Sequence, residues 1–264
     1  MDYQQIRYET DGAVATLTLS RPERLNAWTY QMSSELTHAI EHVNASPELG
    51  AIIITGEGRG FCAGADIQDT FQSQIDGDKP KREGGASDWV ALLRRSKPII
   101  AAVNGASVGV GATMILPSDI IVAGQSAKFG MAFVRMGVVP ELASSHYLVQ
   151  RMGIGRASEM CLTGRLYPAQ EAFEMGLVDR LVADAELLPT VQALAATIAA
   201  NPAPQLQWVK ELLTENGCET DLALVQKREM ARLAEAYVSP EHKEAVAAFL
   251  EKRPPDYRRA AEEG

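Results

Sequence analysis

Two stretches of this 264-residue chain share one plan. In "AIIITGEGRGFCAGADI", from Ala51, and in "KPIIAAVNGASVGVGATMIL", from Lys97, a run of β-branched residues leads into a glycine-rich loop. Apolar runs without polar alternation read as strands buried on both faces, the pattern of a parallel sheet covered by helices. Helical spacing separates them. "TYQMSSELTHAIEHVNAS" carries Thr29 as its N-cap. "DIIVAG", from Asp119, is a further short buried strand, and "AVATLTL", from Ala13, reads as a strand near the edge of the core. Strands alternating with helices predict an α/β layered fold. The polar segment Asp76 to Asp88 reads as a loop. From about Asp184 four successive amphipathic segments follow, a helical tail that needs a core or a sister subunit to cover it.

Composition limits the partners. The net charge of −9 argues against nucleic acid and acidic membranes, which call for a basic face. No apolar run reaches the ~20 residues of a spanning helix. The cysteines Cys62, Cys161 and Cys218 are odd in number and widely spaced, which fits a reducing compartment, and the acidic, polar N-terminus does not read as a signal peptide. The expected location is cytoplasmic.

Glycine loops after strands raise nucleotide binding, but "GASVGVGATM" has Met114 where G-x-G-x-x-G needs its third glycine, and no P-loop motif exists. Either the glycines serve close packing, or the two loops aim backbone N–H groups at one point, as an oxyanion hole requires. His38 and His42 stand at i, i+4 with no third metal ligand in view, and no metal is expected. His146 lies five residues after Glu141, close enough in sequence to share its site or to cap a helix. Ser144 and Ser145 lack a nucleophile-elbow pattern. Glu141 itself follows "MAFVRMGVVP", which reads as interior. There it is a helix N-terminal acid complementing the dipole, a paired buried acid, or a general base whose pKa rises with burial. Pro140 fits a helix start.

The motifs "RPERLNAW", "GRGFCAGADI", "AAVNGASVGVGATMILPSDIIVAG", "AKFGMAFVRMGVVPE" and "LTGRLYPAQEAFEMGLVDRLV" occur in this order. Together they resemble the crotonase family, the enoyl-CoA hydratase/isomerase superfamily, over nearly the whole chain. The resemblance implies a spiral core of repeated ββα units with an acyl-CoA site over residues 1–190, and a C-terminal helical trimerisation region over 191–264. It implies an acyl-CoA thioester as substrate, no separate cofactor, and a homotrimer or dimer of trimers. By motif position, the oxyanion donors are the N–H groups of Ala63 and Val110. Arg24, and Lys252 of a neighbouring subunit, fall near the CoA phosphates. Ala65, Asp66 and Ile67 fall at the adenine pocket.

The sequence departs from the family where hydratases carry two water-activating glutamates: Thr113 and Phe133 stand there instead. Hydration needs a held water and two proton transfers. By contrast, "VPELASS" is similar to the "SPEGCSS"-like segment of peroxisomal-type Δ3,Δ2-enoyl-CoA isomerases, with Glu141 at the position of their single glutamate. The resemblance therefore implies an isomerase using Glu141 in a dry pocket. Hydration, dehydration or thioester hydrolysis on the same scaffold, or a non-catalytic acyl-CoA binder, stay as alternatives.

Overall fold

The computed structural model describes residues 2–66 and 88–263. The chain opens with an antiparallel hairpin, β1 (Ile6–Asp11) and β2 (Val14–Leu19), then α1 (Tyr30–Ala45). Next come β3 (Ala51–Gly56), β4 (Gly60–Cys62), α2 (Trp89–Arg95), β5 (Ile99–Val103), β6 (Ala106–Val108) and α3 (Val110–Thr113). They are followed by β7 (Ile120–Gly124), β8 (Lys128–Gly130), α4 (Ser144–Thr163), β9 (Leu166–Pro168), α5 (Ala169–Met175) and β10 (Arg180–Val182). Helices α6 (Leu187–Ala199), α7 (Ala203–Asn216), α8 (Leu222–Val238), α9 (Pro240–Glu251) and α10 (Tyr257–Glu263) close the chain.

Two sheets result. The larger has the order β1-β2-β3-β5-β7-β10, parallel from β2 onward; the smaller has the order β4-β6-β8-β9, with only β9 antiparallel. The pairs β3/β4, β5/β6 and β7/β8 each place one strand in each sheet, so the chain winds as a spiral. The burial of both faces explains the uninterrupted apolar runs. Ile52 and Ile54 enter one core with Leu36 and Ile40 of α1; Ala51 and Ile53 enter the other with Leu187, Val191 and Ala195 of α6. Residues of α6 at i, i+4 and i+8 thus cover the outer face of the large sheet.

The structure refines several sequence expectations. Thr29 caps α1 by accepting the N–H of Met32 at 3.0 Å. β2 lies one strand in from an edge, between β1 and β3, and is almost wholly buried; the edge beside it is β1, drawn from the polar N-terminal segment. The three-residue strands β4 and β6 had no visible signal because their stretches read as glycine loops. Helix α6 spans residue 190 and packs on the sheet, and the helices after it stand further out. α8 has no buried residue at all. Most of the Asp76–Asp88 loop lies outside the described residues.

Candidate active site

The two glycine-rich loops converge. A Cβ on Gly111 would lie 2.1 Å from the carbonyl oxygen of Cys62, so only glycine lets α3 sit against the end of β4. Gly64 (φ +114°) and Gly109 (φ +55°, ψ −125°) both take backbone conformations that suit glycine, and a Cβ on Gly109 would come within 3.9 Å of the Gly64 Cα. Val110 opens α3, so its N–H has no acceptor inside that helix. The Ala63 N–H is differently placed: it donates to the Leu25 carbonyl at 3.0 Å. That carbonyl is presented by a left-handed pair, Leu25 (φ 51°) and Asn26 (φ 55°). The geometry brings the two expected donors to one place but gives one of them an internal partner.

Asn26, fully buried, accepts the Arg21 N–H at 2.8 Å and donates to the Glu57 and Gly60 carbonyls at 3.0 and 2.8 Å. It fastens the Arg21–Trp28 segment to the start of β4. Trp28 and Ala65 then pair as a parallel bridge, with Trp28 N–H on the Gly64 carbonyl at 2.8 Å and Asp66 N–H on the Trp28 carbonyl at 2.9 Å. Asp66 also meets the Arg21 guanidinium at 3.1 Å. Arg24 ends a single 3₁₀ turn, Pro22–Arg24, and is exposed, with no anionic partner among the described residues. Of the two arginines in "RPERLNAW", Arg21 is therefore structural and Arg24 is the available cation. Asn26 and Arg21 were not singled out from sequence; an asparagine between an RPER turn and a strand is the only local sign. Ile67 lies outside the described residues. Lys252 is exposed, caps α9 in the left-handed region (φ 55°), and reaches none of these residues through a hydrogen bond or ion pair in the single chain.

Glu141 meets Thr113. The Thr113 hydroxyl donates to Glu141 Oε1 at 2.5 Å, and Thr113 is fully buried. Residue 141 counted as a whole is exposed, yet its carboxyl end is turned toward this buried hydroxyl. At the carboxyl itself burial pushes the pKa up, and the Thr113 hydrogen bond pulls it partly back. Helix α4 does not start at Pro140. It starts at Ser144, after Leu142 (φ 56°) and Ala143 (φ 54°), two successive non-glycine residues in the left-handed region. Each such residue costs about 1–2 kcal/mol. Strain of this kind persists where the surroundings fix it, and it clusters at functional sites. Glu141 is thus carried on a strained turn, not on a helix.

The preceding segment corrects another expectation. "MAFVRMGVV" does not lie in the interior as a whole. Met131 is buried and Phe133 packs partly buried on the core, within a 3₁₀ turn Ala132–Met136. Val134, Met136, Val138 and Val139 are exposed in the single chain, Val139 by 80%. Among the other marked residues, His38 Nδ1 pairs with the Tyr3 hydroxyl at 2.9 Å and His42 packs edge-on against Tyr8. His146 does not share the Glu141 site but faces Cys218. A cavity of about 1100 Å³ opens beside the first residues of β2 and is lined in part by Asp11–Val14, Lys97 and Tyr257; it contains none of the site residues.

Fold, converging loops and a lone carboxylate define the class. The profile of the enoyl-CoA hydratase/isomerase family matches residues 9–260, and the chain belongs to that family. The 1,2-epoxyphenylacetyl-CoA isomerase of Escherichia coli K12 is 37% identical over 257 residues, covering 94% of this chain and 95% of that protein. A probable enoyl-CoA hydratase of Mycobacterium leprae is 35% identical over 261 residues, covering 97% and 99%. Among solved structures, an enoyl-CoA hydratase from Polaromonas sp. JS666 superposes with TM-score 0.87 at 30% identity, covering 95% of this chain and 98% of that one. An enoyl-CoA hydratase from Bacillus anthracis gives TM-score 0.84 at 28% identity, covering 97% and 99%.

Proposed function

We propose that this protein is an acyl-CoA isomerase that shifts a double bond by proton transfer through Glu141. One observation carries the reading. Where family hydratases place their first glutamate stands Thr113, and its hydroxyl holds one oxygen of Glu141, leaving the other oxygen to take and return a proton. Phe133, at the second glutamate position, adds an apolar surface instead of an acid. In this reading Glu141 removes a proton from C2 of a 3-enoyl thioester, the N–H groups of Val110 and Ala63 stabilise the dienolate oxygen, and the same carboxyl delivers the proton at C4. A raised pKa suits a group that must act first as base and then as acid. Ala63 joins only by sharing the hydrogen it now gives to Leu25. The relative named an epoxyphenylacetyl-CoA isomerase supports isomerisation of acyl-CoA as the reaction class.

Arg24 and the partner-facing Lys252 are assigned to the CoA phosphates, and Ala65, Asp66 and Ile67 to the adenine side. The helices after α6 form the trimerisation region, which takes up residues 191–264 apart from the part of α6 on the sheet. Exposed apolar residues on α8 and α9, among them Met230, Tyr237, Phe249 and Leu250, support burial between subunits of a trimer or dimer of trimers.

Relatives named as probable enoyl-CoA hydratases favour hydration as the second reading. The test offers a 3-enoyl-CoA and a 2-enoyl-CoA separately to wild type and to Glu141→Gln. Isomerisation lost by ~10²–10⁴-fold in kcat, with CoA binding retained, supports the assignment. A variant keeping more than about half of wild-type turnover refutes it. Hydration without isomerisation selects the second reading, and binding without turnover selects a non-catalytic acyl-CoA protein.

A further inference from the structure

We propose that Cys218, His146 and Gln150 form a thiol-exchange site, at which Cys218 makes a reversible mixed disulfide with a low-molecular-weight disulfide. Cys218 lies exposed in the link between α7 and α8. The thiol does not stand alone. Its Sγ is 3.6 Å from His146 Nε2, and Gln150 Nε2 donates to it at 2.8 Å. His146 and Gln150 sit at i, i+4 on α4, so one helix face presents both groups to the sulfur. Gln150 also reaches the Gly217 carbonyl at 3.3 Å, which fixes the link against α4. A nucleophile within reach of a base, with a third group holding the arrangement, is the pattern of an activated thiol.

The other cysteines are a built-in comparison. Cys62 is fully buried, and burial pushes its thiol up to about 11. Cys161 is partly buried, and burial raises it as well. Neither has an imidazole partner among the described residues. The chain has no further cysteine, and neither of these two is exposed to resolve an adduct, so exchange stops at the mixed disulfide.

The step balances as follows. His146 takes the thiol proton, and the Cys218 thiolate attacks one sulfur of the incoming disulfide. A new S–S bond forms, the old one breaks, and the departing thiolate takes the proton from His146. Cys218 is oxidised and the incoming disulfide is reduced, one half bound and one half released as thiol. Excess thiol reverses the reaction.

The native, assembled protein is incubated with oxidised glutathione at neutral pH and followed by intact mass and peptide mapping. A single adduct on Cys218 is expected, removed by dithiothreitol and absent in Cys218→Ser. His146→Ala slows its formation by about 10²-fold, the low end of what a positioned base contributes. His146→Gln, which keeps a polar side chain but no base, gives the same slowing should the alanine variant fail to fold. An adduct that forms first on Cys161, no adduct on Cys218, or variants reacting at the wild-type rate would overturn the proposal.

Discussion

Thr113→Val removes the one hydroxyl that, among the described residues, reaches the Glu141 carboxylate, and it changes little else. The side chain is fully buried, valine has nearly the same shape, and the remaining contact of the hydroxyl, with the Val110 carbonyl at 3.3 Å, is weak. The hydrogen bond to Glu141 is charge-assisted, a class with a net strength of about 1.5–3 kcal/mol. Because residue 141 is exposed as a whole, the lower end applies, about 1.5 kcal/mol. The sign follows from the two influences on the carboxyl: burial raises its pKa, and the hydroxyl lowers it. Removing the hydroxyl leaves burial unopposed, so the base is protonated at higher pH than in wild type. In a pH profile of kcat/KM for 3-enoyl-CoA isomerisation, the acidic limb therefore moves toward alkaline pH. Well below the limb the variant is slower by about tenfold, while the plateau changes by less. A limb that stays in place or moves toward acid, or a plateau that falls as far as the limb, would refute the role given to Thr113.

Four further outcomes are expected. Glu141→Gln keeps or raises Tm at pH 7: a carboxyl with a raised folded pKa stabilises fully below its unfolded value and loses that contribution as pH rises through the folded one, so ionised Glu141 is a cost at neutrality, and the gain disappears near pH 4 in calorimetry. Thr113→Glu with Phe133→Glu introduces hydration of 2-enoyl-CoA and reduces isomerisation; a crystal structure placing both side chains away from the bound acyl group would break the residue matching. Gly111→Ala sets a Cβ against the Cys62 carbonyl at 2.1 Å, costing about 2–3 kcal/mol and lowering Tm by roughly 5–10 °C, and a Tm within a degree of wild type would contradict that packing. Lys210, 3% exposed and 2.8 Å from Asp119, has its pKa lowered to about 8, chiefly by burial. Its unfolded state binds more protons between about 8 and 10.5, so wild-type stability gains on Lys210→Met as pH rises through that window; denaturant titrations with a flat difference would show otherwise.

What was legible in the sequence was what repetition writes there. The isoleucine runs of β3 and β5 announce strands covered on both sides, while their two glycine loops left close packing and a meeting point both open until the family resemblance favoured the second. Short strands were not legible, because three residues of β4 or β6 carry no period of their own and pair only once the spiral has formed. The Glu141 segment misled for a related reason: apolar residues mark surface to be covered, and Val134, Met136, Val138 and Val139 are apolar without being inside the chain's own core. The turn after Glu141 was hidden because Leu142 and Ala143 are not residues that advertise a left-handed backbone. The Ala63–Leu25 bond was also out of reach, since it depends on how two distant loops are laid side by side. Glu141 itself stood out because a carboxylate among apolar neighbours needs a reason.

The strand order of both sheets bears on how the protein is made. Within each sheet the strands sit side by side in the order in which synthesis delivers them, from β1 to β10 in one and from β4 to β9 in the other. Each emerging turn can therefore dock on a finished edge, and no strand has to be inserted between two already in place. Growth of this kind relies on nearest-neighbour contacts, as in repeat proteins. It also keeps one unpaired edge open on the ribosome until the next turn covers it, which is where a stalled chain is most exposed to wrong pairing. Ala63, Val110 and Glu141 come from successive turns, so the candidate site is assembled first to last along the chain's own timetable and is complete only when the α4 turn has closed.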